Sequence, residues 1–208
     1  QDVLRTQMNP HFIFNALNSI KHYIINNEQK NAVHYLNKFS KLVRKILESS
    51  SVKEVSIQEE LETMDLYMNI ENIRFSNEIN YDVNVDTDLD LSTIKVPPLV
   101  LQPFLENALW HGLSSKKGNK NITLSVFKPS SDFIQIDIED NGIGRKASAK
   151  IKSNKVINRK SIGIELTKER LKNFIKDLKN PFSLVFKDLV DENKKPTGTK
   201  VALRIPIN

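Results

Sequence analysis

Residues 7–20 read Gln-Met-Asn-Pro-His-Phe-Ile-Phe-Asn-Ala-Leu-Asn-Ser-Ile. They set an imidazole, His11, one helical turn before a carboxamide, Asn15. Neutral imidazole is nucleophilic, and an unperturbed pKa of about 6.5 leaves it mostly neutral at cytosolic pH. His11 can therefore accept a phosphoryl group and pass it on. The Asn15 amide stands where it could orient the ring, a phosphoryl oxygen or a water. Two other segments carry chemistry. Glu106-Asn107-Ala108-Leu109-Trp110-His111-Gly112 sets polar groups into an apolar helix, and Asp140-Asn141-Gly142-Ile143-Gly144 follows an alternating strand. An ionised Asp140 is a hydrogen-bond acceptor, and Gly142 and Gly144 allow the backbone to approach a ligand closely.

From Arg145 to Lys160 there are seven basic residues and no acidic one. Such a stretch, poor in apolar anchors, reads as a solvated loop or as a lid whose cations meet phosphates. Ser161-Ile162-Gly163 follows it, and Gly198-Thr199 precedes the last apolar alternation.

The elements that must position these groups are visible in the periodicity. Ile13, Leu17, Ile20 and Ile24 form a seam on one helix, with Asn15, Asn18 and His22 on the neighbouring stripe with His11. Pro10 should start or bend that helix. Asn26-Asn27 breaks it. A second amphipathic helix carries Ala32, Tyr35, Leu36, Phe39, Val43, Ile46 and Leu47 and ends at Ser49-Ser50-Ser51. Two such helices cannot fill a core alone, so pairing of two hairpins into a four-helix bundle is expected, and hence a homodimer. Ser56-Ile57-Gln58-Glu59 is a capping box opening a third helix that runs to about Phe75. Pro97-Pro98 predicts the start of a helix that Gly112 stops. Alternation predicts strands at Tyr81–Val85, Ile122–Val126, Ile134–Ile138, Phe182–Phe186 and Lys200–Ile205, with a helix over about 163–178. Helices on one face of a mainly antiparallel sheet make an α+β, two-layer α/β sandwich.

Taken in order, these segments resemble the LytS/YehU-type sensor histidine kinases. Pro-His-Phe-Ile-Phe-Asn-Ala-Leu-Asn resembles their phosphoacceptor box, 102–112 their N box, 140–144 the first glycine box, 145–162 the ATP lid and 161–164 the second glycine box of a Bergerat-type GHKL domain. The likeness extends to Tyr67-Met68-Asn69-Ile70-Glu71 with Arg74-Phe75, to Pro97-Pro98 and to Leu101-Gln102-Pro103, for which a structural role is expected. It implies a dimerisation and phosphoacceptor hairpin over 1–52 and an ATP-binding catalytic domain over 53–208. It further implies ATP-dependent autophosphorylation on His11 and transfer to an Asp of a response regulator, often one with a LytTR DNA-binding output. The implied site has Asn107 on Mg²⁺, His111, Arg145, Ile162 and Gly163 near the nucleotide, Gly142 and Gly144 at its backbone, and Thr199 beside the adenine-pocket Asp140. Helix Gly163–Leu171 would point its N-terminus at the phosphates. Three positions depart from the pattern. Phe12 stands where commoner histidine kinases have an acidic base, which leaves Glu106 as a candidate. Trp110 replaces a Lys, and Ser161 replaces a Gly.

Composition sets outer limits. A net charge of +6 over 208 residues, spread along the chain, indicates a solvated basic surface rather than direct nucleic-acid binding. The absence of cysteine excludes disulfides and thiolate zinc sites. No apolar run approaches the roughly 18–20 residues of a membrane span. Opening at Gln1, directly into a helical pattern, suggests a cytoplasmic piece of a longer plasma-membrane protein, with the membrane portion lying N-terminal to it. Two rival classes are a Bergerat-fold ATPase or serine kinase, which would need no His11 motif, and a non-catalytic pseudokinase scaffold, favoured only by Trp110 and Ser161.

Overall fold

The computed structural model describes residues 10–145, 147–148, 159–178 and 180–207. Helix α1 (Pro10–Ile25) and helix α2 (Gln29–Ser50) form an antiparallel hairpin, with Asn27 taking a left-handed conformation in the three-residue turn between them. The stripe of α1 that is fully buried is Phe12 and Ala16, while Ile13 and Ile20 of the seam pack partly against the core. Leu17 and Ile24 remain 50% and 59% exposed. On α2 the buried residues are Ala32, Tyr35, Leu42 and Ile46, and α2 packs against α3 (Ile57–Arg74).

The α3 N-terminus is the expected capping box. The Ser56 hydroxyl accepts the Glu59 N–H at 3.2 Å, and the Glu59 carboxylate accepts the Ser56 N–H at 2.7 Å. Ser56 also belongs to a short antiparallel ribbon, β1 (Val55–Ser56) with β3 (Lys95–Val96), that the sequence pattern does not announce. A five-stranded sheet follows from β2 (Ile79–Val85), β4 (Lys120–Ser130), β5 (Phe133–Asp140), β6 (Ser183–Val190) and β7 (Pro196–Pro206), in the order β2-β4-β5-β7-β6. Only β2 and β4 pair in parallel; the other pairs are antiparallel. Alternate residues of the central strands, such as Ile122, Leu124, Ile136, Ile138 and Leu203, are buried on one face. Against that face lie α3, α4 (Gln102–Asn107) and α5 (Arg159–Phe174). Period-two burial of β-branched and leucine side chains under helices gives the α+β two-layer arrangement.

Three expectations about helix ends fail. Pro97-Pro98 does not start a helix; α4 starts at Gln102, after a turn in which Leu99 takes the left-handed region at φ 58°. That turn is imposed from 39 residues upstream. The buried Glu60 carboxylate accepts the Leu99 N–H at 2.8 Å and the Leu101 N–H at 2.9 Å. Arg170 of α5 reaches the Pro98 carbonyl from the other side at 3.4 Å. Gly112 does not stop the helix either, because the chain continues through it in a π-helical turn, Ala108–Leu113. Finally, α5 begins at Arg159, so Gly163 lies inside the helix rather than at its N-terminus.

Burial pushes the Glu60 carboxyl up to about 7, against the pull of its backbone donors at Leu101, Leu99 and Val100. A raised folded-state pKa stabilises the protein below the unfolded value and is lost as pH rises through the folded one. The gap from 4.5 to about 7 corresponds to a limit of about 3 kcal/mol. Glu60→Gln should therefore flatten the fall in thermal stability between pH 5 and pH 8. Parallel melting-temperature curves for the two proteins over that range would contradict the Glu60 clamp as the source.

Candidate functional site

A cavity of about 230 Å³ opens between the C-terminal half of α4 with its π turn and the ends of β5, β6 and β7. Asn107 and His111 face it from one helical line, Asp140 from the end of β5, Gly144 and Arg145 from the following segment, and Thr199 from β7. Phe104, Ile138, Phe186 and Val201 supply apolar walls. Phe104 and Phe186 meet with ring centroids 6.2 Å apart, closing one side.

Asp140 is the best-defined polar group of this cavity. Its carboxylate accepts the Gly142 N–H at 2.8 Å and a further backbone bond from Thr199, its register partner on β7. Burial nonetheless pushes the carboxyl up to about 6, with the two backbone donors opposing. The π turn brings Gly112 directly over it. A Cβ on Gly112 would stand 2.6 Å from the Asp140 Oδ1, and a Cβ on Gly142 would run into the Gly112 backbone. These glycines thus serve a close approach of two chain segments. Gly144 is required for a second reason, a φ of 78°. Asn141 is a clamp: its side chain accepts the Asn121 N–H at 2.9 Å and donates to the Asn119 carbonyl at 3.2 Å. Lys116 donates to the Asn141 carbonyl at 2.6 Å. A role for Asn141 was not legible from its place in an Asp-Asn-Gly turn.

Arg145 lines the cavity but is held by β6, with Nε and Nη donating to the Asp188 carboxylate at 2.7 and 2.9 Å. Its guanidinium lies 5.8 Å from the Phe186 ring centroid. Much of the lid, including residues 149–158, lies outside the described residues, as do the side chains of residues 159–162 and so the Ile162 side chain. Gly163 is described; the nearest neighbour a Cβ there would meet is Pro103, at 3.8 Å. Among the described residues no group of three or more His, Asp or Glu is placed to hold a metal ion.

His11 belongs to α1, but its side chain is also outside the described residues. The placement of its neighbour is clear. Phe12 is buried with its ring 5.3 Å from Tyr67 of α3 and 6.1 Å from Phe39 of α2. Asn15 lines a separate open cleft between α1 and the end of α3, with Asn18, His22, Ile73 and Arg74. The Glu106 carboxylate accepts the Gln102 amide at 3.0 Å, and the Tyr67 hydroxyl lies near it. Burial raises its pKa while these two neighbours oppose the shift. Trp110, where a Lys was expected, is a plate for a cation: the Arg74 guanidinium lies 4.3 Å over its ring, and the Phe75 ring is 5.4 Å from it.

The histidine kinase family profile matches residues 1–79. The N-terminal 79 residues thus match the histidine kinase family, and the relatives of the chain include LytS sensor proteins. The chain is 29% identical over 209 residues to sensor protein LytS of Streptococcus agalactiae, covering 98% of this chain and 33% of that protein. It is 30% identical over 141 residues to the sensor histidine kinase/phosphatase LytS of Staphylococcus aureus, covering 68% of this chain and 24% of the relative. The chain thus spans a third or less of the length of either LytS protein. Among solved structures, the histidine kinase domain of the Erythrobacter litoralis EL346 blue-light activated kinase superposes with a TM-score of 0.54. At 16% identity, over 99% of this chain and 92% of that one, it supports the fold.

The packing of Gly112 on Asp140 can be tested by stability. Gly112→Ala should cost about 1–3 kcal/mol, an overpacking penalty, or roughly 3–10 °C in Tm for a chain of this size. Gly163→Ala, inside α5 where the added Cβ would make only an ordinary contact with Pro103 at 3.8 Å, should be neutral or stabilising by up to about 1 kcal/mol. Equal melting temperatures for the Gly112 variant and the parent would show that the approach is not tight.

Proposed function

We propose that this chain is the catalytic core of a two-component sensor histidine kinase that binds ATP in the cavity above Asp140 and phosphorylates His11. The supporting observation is convergence. Asn107, His111, Asp140, Gly144 and Thr199 come from separate segments and line one cavity, while the residue after His11 is anchored to the same body through Tyr67. The division proposed is a hairpin over 1–52 and an ATP-binding domain over 53–208.

The cavity suits a flat heterocycle. Its volume of about 230 Å³ falls below the roughly 300–1,000 Å³ of pockets that enclose whole ligands, so the phosphates would lie outside it toward the lid. Ionised Asp140 accepts the exocyclic amine of adenine, and the Gly142 and Gly144 backbone lets the base approach. Asn107 offers one hard oxygen that would hold Mg²⁺ beside the nucleotide, where such an ion would supply charge neutralisation to the leaving phosphates. A His11 ring nitrogen attacks the γ-phosphorus, a P–N bond forms, and the bond to the β–γ bridging oxygen breaks to release ADP. Glu106 is the carboxylate assigned to take the imidazole proton. The phosphoryl group then passes to an Asp of a response regulator, of the LytTR output class by resemblance.

The exposed Leu17 and Ile24 seam is assigned to a second copy of the chain, completing a four-helix bundle. None of the described helices is long and apolar enough to cross a membrane; a cytoplasmic position beneath a membrane-borne sensor is part of the proposal.

Incubation with radiolabelled ATP decides between activities. Acid-labile label on the protein is expected, lost in His11→Gln with ATP binding intact; free phosphate without protein label would indicate an ATPase, and neither product a scaffold. Asp140→Asn should weaken ATP binding by about 1.5–3 kcal/mol, roughly 10–150-fold, and unchanged calorimetric affinity would move the adenine elsewhere. Asn15→Ala should reduce dephosphorylation of the regulator more than autophosphorylation; equal losses would leave Asn15 as a ring-orienting residue only. Leu17→Glu should convert dimers to monomers in light scattering, and a parent chain already monomeric at tens of micromolar would refute the bundle.

A further inference from the structure

Tyr67, Glu71 and Arg74 are spaced i, i+4, i+7 on α3 and so share one stripe. That stripe lies between the hairpin and the helix that carries Glu106 and Asn107. Tyr67 is buried. One part of its ring meets Phe12 at 5.3 Å. Its buried hydroxyl feels the Glu106 carboxylate electrostatically and lies near Trp110. Trp110 in turn lies under Arg74, whose guanidinium donates to both oxygens of the buried Glu71 at 2.9 Å. The side chain after His11 and the side chain before Asn107 are therefore joined through one residue.

Seating Phe12 fixes the rotation of α1 about its axis, because consecutive side chains leave an α-helix about 100° apart. Holding Glu106 fixes the carboxylate at the start of the π turn. A phosphoryl transfer depends steeply on such placement: a displacement of about 1 Å can cost on the order of 100-fold in rate.

Resting on the His11 and Glu106 assignments above, we propose that Tyr67 is a positioning residue for autophosphorylation, its ring setting the phosphoacceptor helix through Phe12 while its hydroxyl orients Glu106. Arg74 and Glu71, through Trp110, hold that hydroxyl in place. Neither side chain needs to touch ATP.

The test separates rate from binding in the full 208-residue chain. Tyr67→Leu should lower the labelling rate at saturating ATP by about 10–100-fold while KM for ATP and calorimetric ATP affinity stay within about twofold. Tyr67→Phe keeps the ring and loses the hydroxyl, so its rate should lie between those of Tyr67→Leu and the parent. Phe12→Ala should also lower the rate, and the Phe12→Ala/Tyr67→Leu double variant should lose much less than the product of the single losses, since contacting residues couple. Full rates in Tyr67→Phe and Tyr67→Leu would overturn the proposal. So would multiplicative losses, or rate, KM and melting temperature worsening together, the mark of a packing role alone. If Tyr67→Leu does not fold, Tyr67→Phe and Phe12→Ala decide. A parent chain with no acid-labile label would refute the kinase assignment itself, and the positioning role with it; normal, His11-dependent labelling in the Tyr67 variants would refute only the latter.

Discussion

Everything at the cavity depends on a carboxylate held against a glycine backbone. Asp140 ends the central strand β5, and the π turn after α4 lays Gly112 over it. A π turn is less favourable than an α turn, and a desolvated carboxyl costs more than an exposed one. Each is stabilised by the other. The wide turn lets Gly112 fit, and Gly112 shields an acceptor whose bonds come from the backbone of Gly142 and Thr199. Fixed backbone dipoles hold the acceptor in position. An arginine there would satisfy the charge and remove the free acceptor capacity.

The same device recurs in the supporting layer. Glu60 bonds the Leu99 and Leu101 amides and so sets where α4 begins. Glu106 accepts the Gln102 carboxamide. Glu71 has a direct ionic partner, Arg74, and burial still pushes it up to about 7, with the Glu106 charge adding to the rise. Buried carboxylates held by neutral donors contribute little net stability. They fix geometry: the start of a helix, the floor of a cavity, the orientation of a side chain.

Local patterns carried much of the architecture. Period-two runs marked the strands, and Ser56 with Glu59 marked the α3 N-terminus to the residue. Asp140, Asn107, His111, Gly144 and Thr199 were legible as one set only because the order of several motifs resembled a known family; each alone is an ordinary turn or helix segment. What escaped was set at long range. The left-handed Leu99 answers to Glu60, the persistence of helix through Gly112 answers to Asp140, and the use of Trp110 answers to Arg74. No local propensity encodes such contacts, since their partners lie tens of residues away. The full burial of Phe12 and Ala16 escaped for another reason: two neighbouring stripes of this helix carry apolar residues, and periodicity cannot rank them.

That ambiguity has a mechanical side. Phe12, Ala16, Ser19 and Tyr23 follow the spacing i, i+4, i+7, i+11. So do Ile13, Leu17, Ile20 and Ile24, one residue later, and the polar set of Asn15, Asn18 and His22 one residue earlier than the first. Three stripes about 100° apart therefore occupy most of the circumference of α1. The first is docked on α2 and α3, the second packs only partly against the core, and the third borders the open cleft with Arg74. Helix α1 cannot turn to change what its polar stripe faces without unseating Phe12 from Tyr67 and re-aiming the exposed seam. A rotation imposed on this helix is thus coupled to two apolar contacts at once. Because packed apolar interfaces exchange between discrete arrangements rather than deforming smoothly, such a helix suits switching between a few states more than graded adjustment.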